Sequence, residues 1–234
     1  MLDDAFEALK QFNWGTDLAV VAPIDEAVTA THGQADARRD LEQRLIAALG
    51  GKLSRDAQDY VCRKLAIVGT AAAVPALASR LSKPNHSHMA RFALERMPAP
   101  EAAQALRDAL PKVTGSLKIG VLSSIGARRD KAAITAIGGL LGDSDPAIAT
   151  AAAYALGAIG GIESARALET PVKRQAGSEP AIVDALLACA ESLLAEKRER
   201  DAMNIYQSLA LPGQGRLVRL AATRGMLACA SKQG

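Results

Sequence analysis

The chain has 234 residues, a formal net charge of +3, and 49% hydrophobic but only 3% aromatic residues, with about a fifth of the whole alanine. That balance allows a sizeable core and favours helix throughout. Charges are spread along the chain, which gives no electrostatic basis for binding nucleic acid or an anionic membrane, and the alternating β-branched and aromatic runs that mark strands are absent.

In chain order, residues 1–49 predict an N-terminal helical cap. A short helix over 4–12 stops near Asn13-Trp14-Gly15, and Pro23 starts a second over 24–31 that His32-Gly33 breaks. A third over 34–49 places Leu41, Leu45, Ile46 and Leu49 on one stripe, with Arg38, Arg39, Glu42 and Gln43 facing water, and Gly50-Gly51 ends it. Ser54 then caps the next helix. Residues 54–175 read as four helical pairs, 54–69 with 71–82, 86–97 with 99–110, 115–126 with 129–141, and 145–160 with 162–175. Pro84-Asn85, Pro98-Ala-Pro100, Pro111 and Asp143-Ser-Asp145-Pro146 punctuate them. After Gly177-Ser-Glu179-Pro180, residues 179–231 predict a hairpin at tetratricopeptide-like spacing, turned at Glu196-Lys-Arg-Glu-Arg200, and a closing helical cap.

Four of these helices end on one phrase: Leu65-Ala-Ile-Val68-Gly69, Leu94-Glu-Arg-Met97-Pro98, Leu122-Ser-Ser-Ile125-Gly126 and Leu156-Gly-Ala-Ile159-Gly160. A return every ~28 to 34 residues, each copy an apolar helix running into a breaker, is the mark of stacked hairpins. The expected fold is therefore all-α, an α-solenoid of antiparallel helical hairpins with helical caps, forming a single domain over residues 1–234. A lone hairpin cannot bury its own apolar stripe.

The segment from Leu141 to Gly160 resembles the consensus of short bacterial HEAT repeats, the type also found in phycobilin lyases. Residues 65–78 match that consensus at the join between its two helices. With Ala8-Leu-Lys-Gln-Phe-Asn-Trp-Gly15, His88 to Met97 and Val218 to Gly225, the whole chain is similar to HEAT modules of larger proteins from environmental bacteria. The resemblance implies a protein-binding scaffold, with a few enzymes built on the same frame. It leaves the compartment open: cytoplasmic if the chain is complete, exported or periplasmic if a signal or flanking domain has been removed.

No residue set predicts catalysis, a metal or a cofactor. His86-Ser-His88 offers two ligands where a stable site needs three or four, and reads as an inter-repeat turn with a capping role. Asp143 and Asp145 are expected as helix caps, Ser123-Ser124 lacks a nucleophile elbow, and Gly157 to Gly161 ends a helix where a phosphate loop must precede one. Cys62, Cys189 and Cys229 are odd in number, without Cys-x-x-Cys spacing, and read as buried small hydrophobes. No apolar run is long enough to cross a bilayer, and the acidic start Met1-Leu-Asp-Asp4 is unlike a secretory signal.

The favoured expectation is a non-catalytic interaction module, monomeric, taking a protein partner or a neighbouring domain and neither nucleic acid nor membrane. Its partner-facing residues are expected on second helices, at Arg80, Arg107, Asp108, Gly138, Gly139 and Glu169, with Trp14 at the cap. Gly138-Gly139 would sit mid-helix at a cost of about 1 kcal/mol each relative to alanine, and so would mark a close approach. The alternative is a HEAT-type enzyme, lyase-like or glycosylase-like, using the concave groove.

Overall fold

A helix starts where the chain supplies a capping oxygen or a proline and stops where it supplies glycine or proline, and those residues recur here at short intervals. The computed structural model describes residues 1–170 and 179–231, and among them every regular element is helical: fourteen α-helices and four short 3-10 turns, with no strand. The class is all-α. Contacts gather into two units, Met1–Ser124 and Ile125–Gly234, taken in turn below.

The first unit holds α1 (Leu2–Leu9), α2 (Ala22–Ala30), α3 (Ala35–Gly50), α4 (Arg55–Val68), α5 (Val74–Ala78), α6 (Pro84–Arg96), α7 (Pro100–Ala109) and most of α8 (Gly115–Ala127). Ser54 opens α4: its hydroxyl accepts the Ala57 N–H at 3.0 Å and donates to the Phe12 carbonyl at 2.6 Å, tying the cap to the first long hairpin. Helix α4 packs on α3 and α6, and α5 packs on α7. Leu45 and Leu49 of α3, Val61 and Leu65 of α4, and Ala90 and Leu94 of α6 are all fully buried between them.

Two side chains of α3 depart from the periodic expectation. Glu42 is 2% exposed, not solvated, and its carboxylate accepts the Thr70 backbone N–H at 2.6 Å and the Thr70 hydroxyl at 2.9 and 3.0 Å. Arg38 donates to the Val68 and Ile67 carbonyls at 2.8 and 3.1 Å. The last turn of α4 leaves carbonyls without helical partners, and the following corner leaves an amide, so the preceding helix supplies the missing partners through long charged side chains. A hydrophobic stripe cannot reveal that demand.

The second unit holds α9 (Ile134–Gly138), α10 (Pro146–Ile159), α11 (Gly161–Glu169), α12 (Glu179–Ala195), α13 (Glu199–Leu209) and α14 (Arg216–Ser231). Asp145 caps α10 by accepting the Ala147 N–H at 2.9 Å, with Pro146 in the first turn. Helix α10 buries Ala152, Ala153, Leu156 and Ile159, and ends on Gly160, whose φ of +74° is left-handed backbone that side-chain-bearing residues avoid. On the α12 side, a β-carbon placed on Gly157 would stand 2.8 Å from the Ala185 Cα, so the two helix backbones meet through the missing side chain. Of the expected second helix of the fourth pair, α11 covers the part up to Glu169; residues 171–175, and Gly177-Ser178 of the turn, lie outside the described residues.

The second helices of the first and third pairs are shorter than expected. Each is a 3-10 turn, Ala71–Ala73 or Lys131–Ala133, running into a five-residue α-helix. Gly138 ends α9 and Gly139 is its C-cap, so the glycine pair stops a helix instead of interrupting one. Among the described residues no helix is long and apolar enough to cross a membrane.

Candidate partner-binding grooves

Each unit carries a shallow groove between consecutive second helices. In the first, α5 and α7 leave a hollow of about 250 Å³ beside Ala78, Ala105, Asp108 and Lys112. In the second, α9 and α11 leave one of about 480 Å³ beside Gly138, Glu163, Arg166, Ala167 and Thr170. The two share a register. Counting from the buried apolar residue of each helix (Leu77, Leu106, Ile137, Leu168), the residue after it on the earlier helix, Ala78 or Gly138, shares the groove wall with the residue before it on the later helix, Ala105 or Ala167. Small residues at those positions keep the floor low, and charged ones stand at the rim.

The anticipated residues are distributed unevenly over these features. Asp108 is exposed at the first groove and accepts from Gln104 Nε2 at 2.7 Å, while Arg107 donates to Gln104 Oε1 at 2.6 Å on the half-buried flank of α7. Gly138 and Gly139 line the second groove. A β-carbon on Gly138 would meet the Ala167 methyl at 3.5 Å, an ordinary contact, so no close approach enforces glycine there. Glu169 is exposed at the end of α11 and does not line the groove; Glu163 and Arg166, six and three residues earlier, do. No spacing in the sequence singles them out: they stand five and two residues before the buried Leu168, whereas Asp108 stands two residues after the equivalent Leu106.

Arg80 is built into the fold. Its guanidinium donates to the Leu49 carbonyl at the end of α3 and to the Ala76 carbonyl at 2.7 Å, closing the helix end that Gly50-Gly51 leaves open. It also partly offsets the burial that pushes the Cys62 thiol up to about 12. Burial likewise raises the Cys189 thiol to about 12, and Cys229 is buried too, so all three cysteines lie in the interior.

Trp14 is 47% exposed and belongs to a cluster larger than the sequence suggests. Four of the chain's seven aromatic side chains gather here. Phe12 meets Trp14 edge-on at 5.4 Å and Tyr60 at 5.3 Å, Arg63 lies 5.8 Å from the Trp14 ring and 5.1 Å from the Phe92 ring, and Arg96 lies 3.7 Å from Phe92. Each arginine over a ring contributes on the order of 0.5–1 kcal/mol at an exposed site. The Tyr60 hydroxyl donates to Asp25 at 2.9 Å; burial, then that bond, holds its phenol far above the usual range, and Lys64 pairs with the same carboxylate. Phe92 and Arg96 stand four residues apart on α6, and their junction with Trp14 is made by Arg63 of α4.

His86 and His88 lie in the first turns of α6, not in a loop. Two residues apart on a helix places them about 200° around the axis, so they cannot share a ligand, and His86 is half-buried while His88 is exposed. Among the described residues no group of three or more His, Cys, Asp or Glu is placed to hold a metal ion.

No family model matches the chain, and no curated protein matches it. Among solved structures it is similar to an engineered protein known from its crystal structure, at 20% identity over 99% of this chain and 98% of that one, with a TM-score of 0.36. An overlay that slight carries no weight for architecture or function.

Proposed function

We propose that the hairpins stack as a HEAT-type α-solenoid and that the chain is a non-catalytic interaction module, holding a protein partner or a neighbouring domain along the grooves between its second helices. The observation that carries this reading is the shared register of the two grooves, Ala78 with Ala105 and Gly138 with Ala167, each rimmed by charge. A repeat surface of small residues with varied rim charges selects a partner by shape and a few polar contacts, and its rigidity keeps the ordering cost of binding low. Asp108, Glu163 and Arg166 are the rim residues assigned to selectivity, with Arg107 beside them.

The test is cross-linking and affinity capture from the source cell extract by the wild-type chain and by Asp108→Lys and Arg166→Glu, with each captured protein identified and re-bound in purified form. The expected result is one partner whose affinity falls at least about tenfold in either variant while the thermal midpoint holds, since exposed substitutions stay within about 0.5 kcal/mol. Unchanged capture by both variants would refute the groove assignment. Turnover of any substrate, abolished by a single carboxylate substitution, would replace it with an enzyme reading.

A further inference from the structure

Helix α14 has two apolar stripes, and only one is covered. Ala222 and Cys229, seven residues apart, are its buried residues, facing α12 and α13. Leu220 and Leu227, also seven apart, stand about 160° around the helix from them and are 65% and 67% exposed, with Leu217 beside them at 79%. Positions 217, 220, 224 and 227 follow the 3-4-3 spacing of a heptad seam, with Arg224 as its one charged member. An outward pole of leucine on a helix that already packs by its opposite side marks an interaction surface.

The charge of this helix, with Arg216 and Arg224 toward the leucine stripe, points to what covers that face. Arg216, Arg219 and Arg224 are the charged residues of α14, no carboxylate accompanies them, and none of the three has an ion-pair partner among the described residues. We propose that the outer face of α14 docks an acidic amphipathic helix of a partner protein. Leu217, Leu220 and Leu227 form the seam, Arg216 flanks it, and Arg224 sets the register by meeting a carboxylate at the facing seam position, as a single polar seam residue does in coiled coils. A second copy of this chain fits poorly. Pairing α14 with itself sets arginine against arginine, and the acidic helix α1 has its carboxylates engaged already, Asp3 with Arg44, Asp4 with the N-terminal ammonium and Glu7 with Lys10. The proposal stands whether or not the second-helix grooves hold a partner.

The experiment titrates the full chain into a fluorescent three-heptad peptide with Leu at the seam, Glu at the flanks and one central seam Glu, beside a control with Lys at every Glu position. Saturable binding of the acidic peptide is expected, at least about tenfold tighter than the control, and weakened at least tenfold by Leu220→Gln with Leu227→Gln. Arg224→Glu should lose the acidic peptide and recover binding to one whose central seam residue alone is Lys. Circular dichroism melts of the variants should match wild type, because these side chains lie outside the core. Equal binding of acidic and basic peptides, or no effect of the leucine pair, would overturn the proposal. So would concentration-dependent dimerisation in sedimentation that Leu220→Gln abolishes, which would assign the face to a second copy, and so would peptide-displaceable binding to phosphatidylglycerol vesicles, which would assign it to a membrane surface.

Discussion

The corner after α4 and the corner after α10 follow copies of the same five-residue phrase and are completed by different chemistry. After α4, Arg38 and Glu42 reach across from α3 and satisfy the carbonyls and the amide that the helix end leaves open. After α10, Gly160 turns in left-handed backbone, and Gly157 brings α12 to within side-chain-free contact. The first corner is held by charge-assisted hydrogen bonds, the second by the absence of side chains. A repeated motif therefore fixes where a helix ends without fixing what completes that end, and the neighbouring element decides the rest.

The sharpest way to break this contrast is at Leu156, fully buried in α10. Leu156→Ala should cost about 2–5 kcal/mol, read from urea unfolding, because small neighbours such as Ala152 and Ala153 leave the cavity little to collapse with. A loss below about 1 kcal/mol would show that α10 tolerates voids and is not held by tight packing. Adding volume should hurt as well. Gly157→Ala sets a methyl against the Ala185 backbone and should cost about 1–3 kcal/mol in the same melts.

In the first unit the sensitive group is polar. Glu42→Ala should cost about 1–2 kcal/mol, with Glu42→Gln recovering part of it, since the amide can still accept from Thr70. If alanine and glutamine lose equally, the carboxylate's charge and not its acceptor geometry holds the corner. Arg80→Ala should cost about 1 kcal/mol by freeing the Leu49 carbonyl, where an exposed partner-binding arginine would cost less than about 0.5.

The smallest effect is a pH slope. Burial, then the charges of Arg80, Lys83 and Arg55, hold the His86 imidazole below its free value of about 6.5. As pH falls the unfolded chain takes up this proton first, so the stabilisation is complete above about pH 6.5 and is lost as pH drops through the lower folded value. Across that window the thermal midpoint of wild type should fall relative to that of His86→Asn as pH is lowered. Parallel curves would remove His86 from the account.

What was legible in the sequence was local. Ser54, Asp145-Pro146, Gly50-Gly51 and the glycines of the repeat phrase mark helix ends through their own backbone and side-chain preferences, and the structure has those helices within a few residues of where they were expected. What was not legible depends on the phase of one helix against another. Periodicity placed Glu42 and Arg38 in water because their partners lie about thirty residues away, and it offered Arg80 to a partner because the open end of α3 is invisible from α5. The Gly138-Gly139 pair suggested a mid-helix approach because nothing in the pattern says that α9 is only five residues long. Of the charged residues at the grooves, the sequence singled out Asp108, which lines the first, whereas Glu163 and Arg166 emerge only once α9 and α11 lie side by side.

The Glu42 clamp also turns one amide into a reporter. Thr70 lies outside the α-helices, and its N–H bonds to a carboxylate on α3. Its exchange with solvent deuterium is therefore gated by separation of α3 from the α4 corner and not by fraying of either helix. A single slow amide between faster neighbours would time the opening of that one interface in the intact chain.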